Sequence, residues 1–509
     1  MQCLRHGSVR AVLAVVFASG GWYAGARAQD ARSALDPITS ALINHPITTS
    51  SGVARDHFLR GLRELDLARF IDANAHFKES VAADPDFAFA YLSIANTATS
   101  LAEFESNLSL AEQHAGAASE AERLQIQMAR KGFDQDLAGQ LALGQELVRK
   151  YPDSPRAWLA LGGVQGALNR NEEARASIAK ALALAPRMFV AHTTLGFSYV
   201  FAEPRDFGKA LEHMQQAENL APDESGAHMS LGDAYRAQRN LEKAREEYAR
   251  GHQLNPRDAV LLVKRGHANT LLGNYAAARA DYDSAIAVGR ANEKAAYAPF
   301  RANVSVFAGE PAAAIDELNR LVASVDGMGV PDPKAAKVAA LGSVAAIAIH
   351  TRNQPAVEQA LQQLGPVLLQ QADEAGNPAF RRGQEAMIAY FDGWWAARRG
   401  DYAAAQRQAD RISQLLAPDA NPRKLEPMHQ IEGFIALYQG KYAEAAAHLR
   451  QGNPFDPYIK YQLAVATEGA GDVAQAKTLY REVAEYNFNT VGFALVRKDA
   501  QQKAVAGTP

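Results

Sequence analysis

Thirteen histidines, one cysteine and 56 carboxylates are the groups in this 509-residue sequence that could bind a metal or move a proton. Their spacing decides what chemistry is open. The HExxH pattern of zinc hydrolases is missing, and so are the GxSxG elbow of serine hydrolases and a phosphate loop ending in Gly-Lys-Ser/Thr. Gly208-Lys209 runs on into Ala210, and Gly327-x-Gly329 lies in a proline-rich stretch that reads as a turn. Cys3 stands alone, which excludes an intramolecular disulfide and a cluster of thiolate ligands. His192 and His228 sit where a large residue recurs in the chain and read as packed, hydrogen-bonded side chains. Glu172-Glu173 and Glu246-Glu247 read as solvated charge. The expectation is therefore no catalytic residue, no metal ligand and no cofactor.

Composition narrows the class further. Hydrophobic residues make up 48% and charged residues 21%, enough apolar material for a large core. Lys plus Arg total 53 against 56 acidic residues, a formal net charge of −3, so no global basic footprint invites nucleic acid.

The elements that would position any functional group follow from internal periodicity. Gly162, Gly196, Gly232 and Gly266 are separated by 34, 36 and 34 residues. Trp158, His192, His228 and Leu262 keep the same steps, as do Ala174, Ala210, Ala244 and Ala278 with 36, 34 and 34, and Pro186, Pro222 and Pro256 with 36 and 34. Within each unit apolar residues recur at three- and four-residue intervals over two runs, the pattern of two amphipathic helices. Turns are expected at Asn169-Arg170-Asn171, Arg239-Asn240 and Gly273-Asn274, and the prolines stop the second helix. A mid-helix glycine costs about 1 kcal/mol relative to alanine, so a recurring one needs a packing reason. Gly232 is expected to face the neighbourhood of Ala244.

The stretch from Trp158 to Pro256 resembles the tetratricopeptide repeat, a 34-residue helix pair, with Trp158, Leu161, Gly162, Ala174, Ile178, Ala181 and Pro186 on its defining places. Gly61, Ala73, Phe77 and Pro85 mark an earlier unit. Gly393 with Ala405, Gly433 with Ala445, and Ala464 with Ala476 mark later ones. Residues 87–150 and 290–380 carry the pattern in blurred form and are expected to be helix hairpins. The resemblance implies an all-α, right-handed α-solenoid of helix hairpins, in two superhelical segments, 53–325 and 334–498, joined by a linker at 326–333.

If the resemblance holds, the residue after each helix glycine points into a concave face. That column reads Leu62, Gly163, Phe197, Asp233, His267, Trp394 and Phe434, with Met229, Arg236 and Lys264 on flanking turns. Phe197, Met229, Asp233, Arg236, Lys264, His267, Trp394 and Phe434 are thus the expected partner-binding residues. Of Trp394 and Trp395, one is expected to pack and the other to be available. The Lys and Asn pairs that clamp a C-terminal carboxylate in other grooves of this family have no match. The implied function is a non-enzymatic scaffold that grips a peptide or protein. Two alternatives stay open: a carbohydrate or small-ligand binder stacking on Phe197, Trp394 and Phe434, and a hydrolase using Asp233 and His267.

The N-terminus reads as a secretory leader. Arg5 and Arg10 precede the apolar run 11–18, and Ala26-Arg27-Ala28 offers a signal-peptidase site after Ala28. Cleavage would remove Cys3, Arg5, Arg10 and Arg27 with no acidic residue, taking the formal charge from −3 to −6. The mature chain would be periplasmic or secreted, with an extended segment at 29–52, no membrane span, a short capping element at 491–498 and a disordered tail at 499–509.

Overall fold

The structure is a computed structural model, and it describes residues 47–505 apart from Ala68, 99–100, Gln135, Pro331, Ala420 and Pro422. The leader and most of the 29–52 segment lie outside the described residues. Among the described residues regular structure is helical, 25 α-helices and two short 3-10 turns. The α-solenoid read from the sequence is what forms: consecutive helices pair as hairpins. Contacts divide the chain into two units, one ending at Leu261 and one beginning at Leu262.

In the first unit the hairpins are α1 and α2 (Gly52–Asp66, Phe70–Ala83), α3 and α4 (Ala88–Asn96, Leu101–Gln113), and α5 and α6 (Glu120–Phe133, Leu137–Lys150). Then follow α7 and α8 (Pro155–Ala167, Asn171–Leu184), α9 and α10 (Phe189–Phe201, Phe207–Leu220), and α11 and α12 (Ser225–Ala237, Leu241–Leu254). Helix α13 (Ala259–Leu272) carries the division. The second unit continues with α14 (Tyr275–Val288), α15 and α16 (Ala291–Phe307, Pro311–Ser324), and α17 and α18 (Pro333–Thr351, Gln354–Ala375). It ends with α19 and α20 (Pro378–Arg398, Tyr402–Leu416), α21 and α22 (Glu426–Tyr438, Tyr442–Leu449), α23 and α24 (Pro457–Gly469, Val473–Ala484), and a single α25 (Val491–Val505).

Local chemistry sets these boundaries. Ser154 and Asp456 accept a backbone N–H from the first turn of α7 and α23, each followed by proline at the first helical position, where its missing N–H costs nothing. Inside the hairpins Asn169, Arg239, Gly273 and Gly440 take positive φ, from 57° to 83°. The next N–H in each case donates back to the carbonyl five residues earlier at 2.9 Å, satisfying an otherwise open helix end. Helices α8, α10 and α12 end two residues short of Pro186, Pro222 and Pro256.

The glycine column has a packing reason different from the one expected. A Cβ on Gly232 would meet the Tyr248 ring at 2.5 Å, and one on Gly61 the Phe77 ring at 2.5 Å. Gly162, Gly196, Gly266 and Gly433 stand in the same way under Ile178, Met214, Tyr282 and Leu449. Each partner lies four residues after the recurring alanine, one helical turn on. The glycine makes room for this large residue, while the alanine lets the helix axes approach.

Two boundaries also differ from the expectation. The 326–333 stretch does interrupt the helices, through the 3-10 turn Val325–Met328 and Gly329 at φ 67°, but the division of contacts falls within α13. Helix α25 continues past Asp499 to Val505, where a disordered tail was expected, because Phe493, Val496 and Ala500 bury one face of it.

Candidate functional site

The eight residues expected to line an open wall are mostly interior. Phe197, Met229, Asp233, Arg236, Trp394 and Phe434 are between 0% and 7% exposed, and Lys264 and His267 are half-buried. Phe197 packs with Met214 and Leu231. The Tyr248 hydroxyl donates to Asp233 Oδ1 at 2.7 Å, and Arg236 reaches the same oxygen at 3.4 Å, closing a buried triad. Burial pushes the Tyr248 hydroxyl pKa well up. His267 Nδ1 meets the Tyr282 hydroxyl at 2.6 Å. Trp394 stacks on Phe434 at 5.6 Å and meets the Tyr458 ring edge-on at 5.2 Å. Trp395 is 8% exposed, so neither tryptophan of the pair is available. A one-residue step past the glycine still faces neighbouring helices, which is why this column is filled by packing.

What covers the first helices in each unit comes from distant parts of the chain. In the second unit α25 packs on α23 and α24 and also on α15 and α17. Asn489, just before it, donates to the Tyr282 hydroxyl at 2.9 Å and accepts from Asn303 at 3.1 Å. Arg497 donates to the Leu271 carbonyl and lies over the Phe307 ring at 5.6 Å. Phe307 also meets Phe493 edge-on at 5.8 Å. A helix is thus held across the first helices of several hairpins by aromatic, amide and guanidinium contacts.

In the first unit it is the turn between α1 and α2 that reaches across. Asp66 accepts from Arg156 at 2.6 Å, Arg69 donates to Glu224 at 3.1 Å and to Glu64 at 3.0 Å, and Leu67 packs against Phe189, Ala217 and Ala227. Burial raises the Asp66 pKa, with the Arg156 guanidinium pulling against it.

A histidine register runs through both units that the sequence reading missed. Four residues before the helix glycine stand His57, His192, His228 and His429, and three residues after the recurring alanine stand His76, His213, Glu247 and His448. These positions face each other across a hairpin. His192 and His228 donate from Nε2 to the carbonyls of Pro186 and Pro222, at 3.0 and 2.8 Å, as packed residues should. Their Nδ1 atoms meet His213 Nδ1 at 3.2 Å and Glu247 Oε2 at 2.7 Å. Glu247 is therefore a partner of His228, not solvated charge. His228, with Nε2–H already donating, can also donate from Nδ1 only as imidazolium. Burial lowers its pKa, but the Glu247 carboxylate and the Pro222 carbonyl outweigh that and raise it. His213 goes the other way, lowered by burial and by His192.

At the two remaining places a carboxylate joins the histidine pair. Glu79 approaches His57 Nδ1 at 2.7 Å and His76 Nδ1 at 3.4 Å. Glu432 approaches His448 Nδ1 at 3.0 Å and His429 Nδ1 at 3.4 Å. The signal in the sequence was a histidine followed nineteen residues later by another.

The model of the tetratricopeptide repeat family matches residues 155–188 and 225–258. The chain is a tetratricopeptide repeat protein. Curated proteins give no match. Among solved structures it is similar to MamA 41-end from Desulfovibrio magneticus RS-1, at 20% identity over 34% of this chain and 96% of that one, TM-score 0.31. It is also similar to a thermophilic tetratricopeptide repeat protein of Thermus thermophilus, at 20% identity over 42% and 98%, TM-score 0.28. A tetratricopeptide repeat protein from Parabacteroides merdae ATCC 43184 overlaps at 13% identity over 56% and 97%, TM-score 0.32. Tetratricopeptide repeats are protein-interaction scaffolds, built to present long faces of stacked helices. Among the described residues no helix is long and apolar enough to cross a membrane.

Proposed function

We propose that this chain is an exported, non-enzymatic scaffold of the periplasm or cell envelope that holds a helical peptide or protein segment against the first helices of its hairpins. The observation that carries the reading is α25, a helix seated across α15 and α17 through Asn489, Phe493 and Arg497. It displays the grip the scaffold would apply to a partner: ring contacts for the apolar face, buried amides for register and an arginine for the end. The stacking-platform alternative loses its support, since Phe197, Trp394 and Phe434 are buried. So does the Asp233 and His267 hydrolase, because each group is engaged by a tyrosine of its own hairpin.

The export half of the reading rests on the basic, apolar and small-residue pattern of residues 1–28. N-terminal sequencing of the protein recovered from its host tests it: Gln29 as first residue supports cleavage, and an intact Met1 contradicts it. The binding half is tested by placing a photo-crosslinking amino acid at Phe307, beside α25, and at Tyr442, an exposed position on α22. Adducts to other proteins from position 307 but not from 442 are expected. Equal labelling from both positions, or none from 307, would sink the reading.

A further inference from the structure

We infer that His429, Glu432 and His448 form a binding site for a divalent transition cation of the zinc class. Three donor atoms converge there: His429 Nδ1 to His448 Nδ1 is 3.4 Å, His429 Nδ1 to Glu432 Oε2 is 3.4 Å, and His448 Nδ1 to Glu432 Oε2 is 3.0 Å. A tetrahedral zinc with ligand bonds of 2.0–2.1 Å puts its donors about 3.3 Å apart. The trio therefore already outlines one face of a coordination tetrahedron.

Hydrogen bonding alone accounts for this arrangement poorly. Either both Nδ1 atoms donate to one carboxylate oxygen with their hydrogens crowded across 3.4 Å, or one stays unprotonated and sets its lone pair against that carboxylate. A cation at the centre turns that crowding into three lone pairs directed at one charge. Two imidazole nitrogens select transition metals over calcium or magnesium, which prefer all-oxygen sites. The three side chains keep 19–28% exposure, so the cation has an entry path and a fourth position for water.

The fold supplies the geometry. His429 and Glu432, three apart on α21, lie on one helix face, while His448 comes from the last turn of α22 at the end of the hairpin far from the Gly440 turn. The same register in the first unit brings His57, His76 and Glu79 together, with Glu79 Oε2 at 2.7 Å from His57 Nδ1 and 3.4 Å from His76 Nδ1. In His228 and Glu247, by contrast, the register holds a simple pair. The bound cation would tie α21 to α22, the shortest α-helix of the second unit at eight residues.

The test uses the full chain, stripped of metal by chelator, as wild type, His448→Gln, Glu432→Gln and His76→Gln, each checked by circular dichroism for retained helix. Titration with Co2+ and competition by Zn2+ read the site through the visible absorption of tetrahedral cobalt. His448→Gln and Glu432→Gln are expected to lose one equivalent of tight binding, weakening it on the order of a hundredfold, since removing a ligand costs at least what changing a residue hydrogen-bonded to a ligand does. His76→Gln retains that equivalent, and Zn2+ raises the melting midpoint of wild type more than that of His448→Gln. Wild type without tetrahedral cobalt absorption, or titrations of His448→Gln and Glu432→Gln that superimpose on wild type, would overturn the assignment and leave a hydrogen-bonded ion pair only.

Discussion

Gly232 of α11 lies so close under the Tyr248 ring of α12 that a methyl group built on it would stand 2.5 Å from Tyr248 Cε1. Repacking is blocked from both sides, because the Tyr248 hydroxyl is tied to Asp233 at 2.7 Å. Gly232→Leu should therefore destabilise the chain by about 1–3 kcal/mol through overpacking. Gly383 of α19 has nothing within 4 Å of a built Cβ. There Gly383→Ala should stabilise by about 0.5–1 kcal/mol through helix propensity alone. Thermal midpoints of the two variants check the pair, and equal effects would show that the glycine column has no packing role.

Arg156→Met tests the reach of the first turn across its unit. It leaves Asp66 without its cation in a site where burial already raises its pKa. Removing one partner of a buried pair costs about 3 kcal/mol when the other stays charged, and less when it takes up a proton. The expected outcome is faster amide exchange in α1 and α2 with α7 to α12 little changed. Unaltered exchange in α1 would mean that the ion pair holds nothing.

Two histidines should move stability with pH in opposite directions. The raised pKa of His228 means that its contribution is complete below the ordinary imidazole value of about 6.5 and is lost as pH rises through its folded value. His350, at the end of α17, is lowered to about 4 by burial and then by the Arg398 charge. Below pH about 6.5 the unfolded chain takes up a proton that folded His350 refuses, so stability falls between there and about 4, by about 1–3 kcal/mol once solvent screening is counted. Denaturant titrations from pH 4 to 9 check both. His228→Gln should flatten the alkaline limb and His350→Gln the acid limb, and unchanged limbs in either variant would contradict the assignment.

The repeats were legible because each is fixed by neighbours in sequence. The turns at Asn169, Arg239 and Gly273 and the stops at Pro186, Pro222 and Pro256 stand where residue chemistry placed them. The packing between distant segments was not, since Asn489 meets Tyr282 across 207 residues and Arg69 meets Glu224 across 155. No local period records such a contact. The histidine register lay between these extremes. His429 and His448 are 19 residues apart, so each looks solitary until the hairpin geometry pairs position with position.

The central claim is that the first helices of the second unit form a surface that grips a helix. Its most direct test is a labelled peptide of residues 487–505 titrated, by fluorescence anisotropy, into the full chain carrying Asn489→Ala and Arg497→Ala. Hydrogen exchange in the same variant confirms that α25 has been released. The account predicts saturable binding that is lost when Asn303→Ala and Phe307→Ala are added to the wall. A released α25 with no saturable peptide binding, or binding indifferent to those wall substitutions, would contradict it.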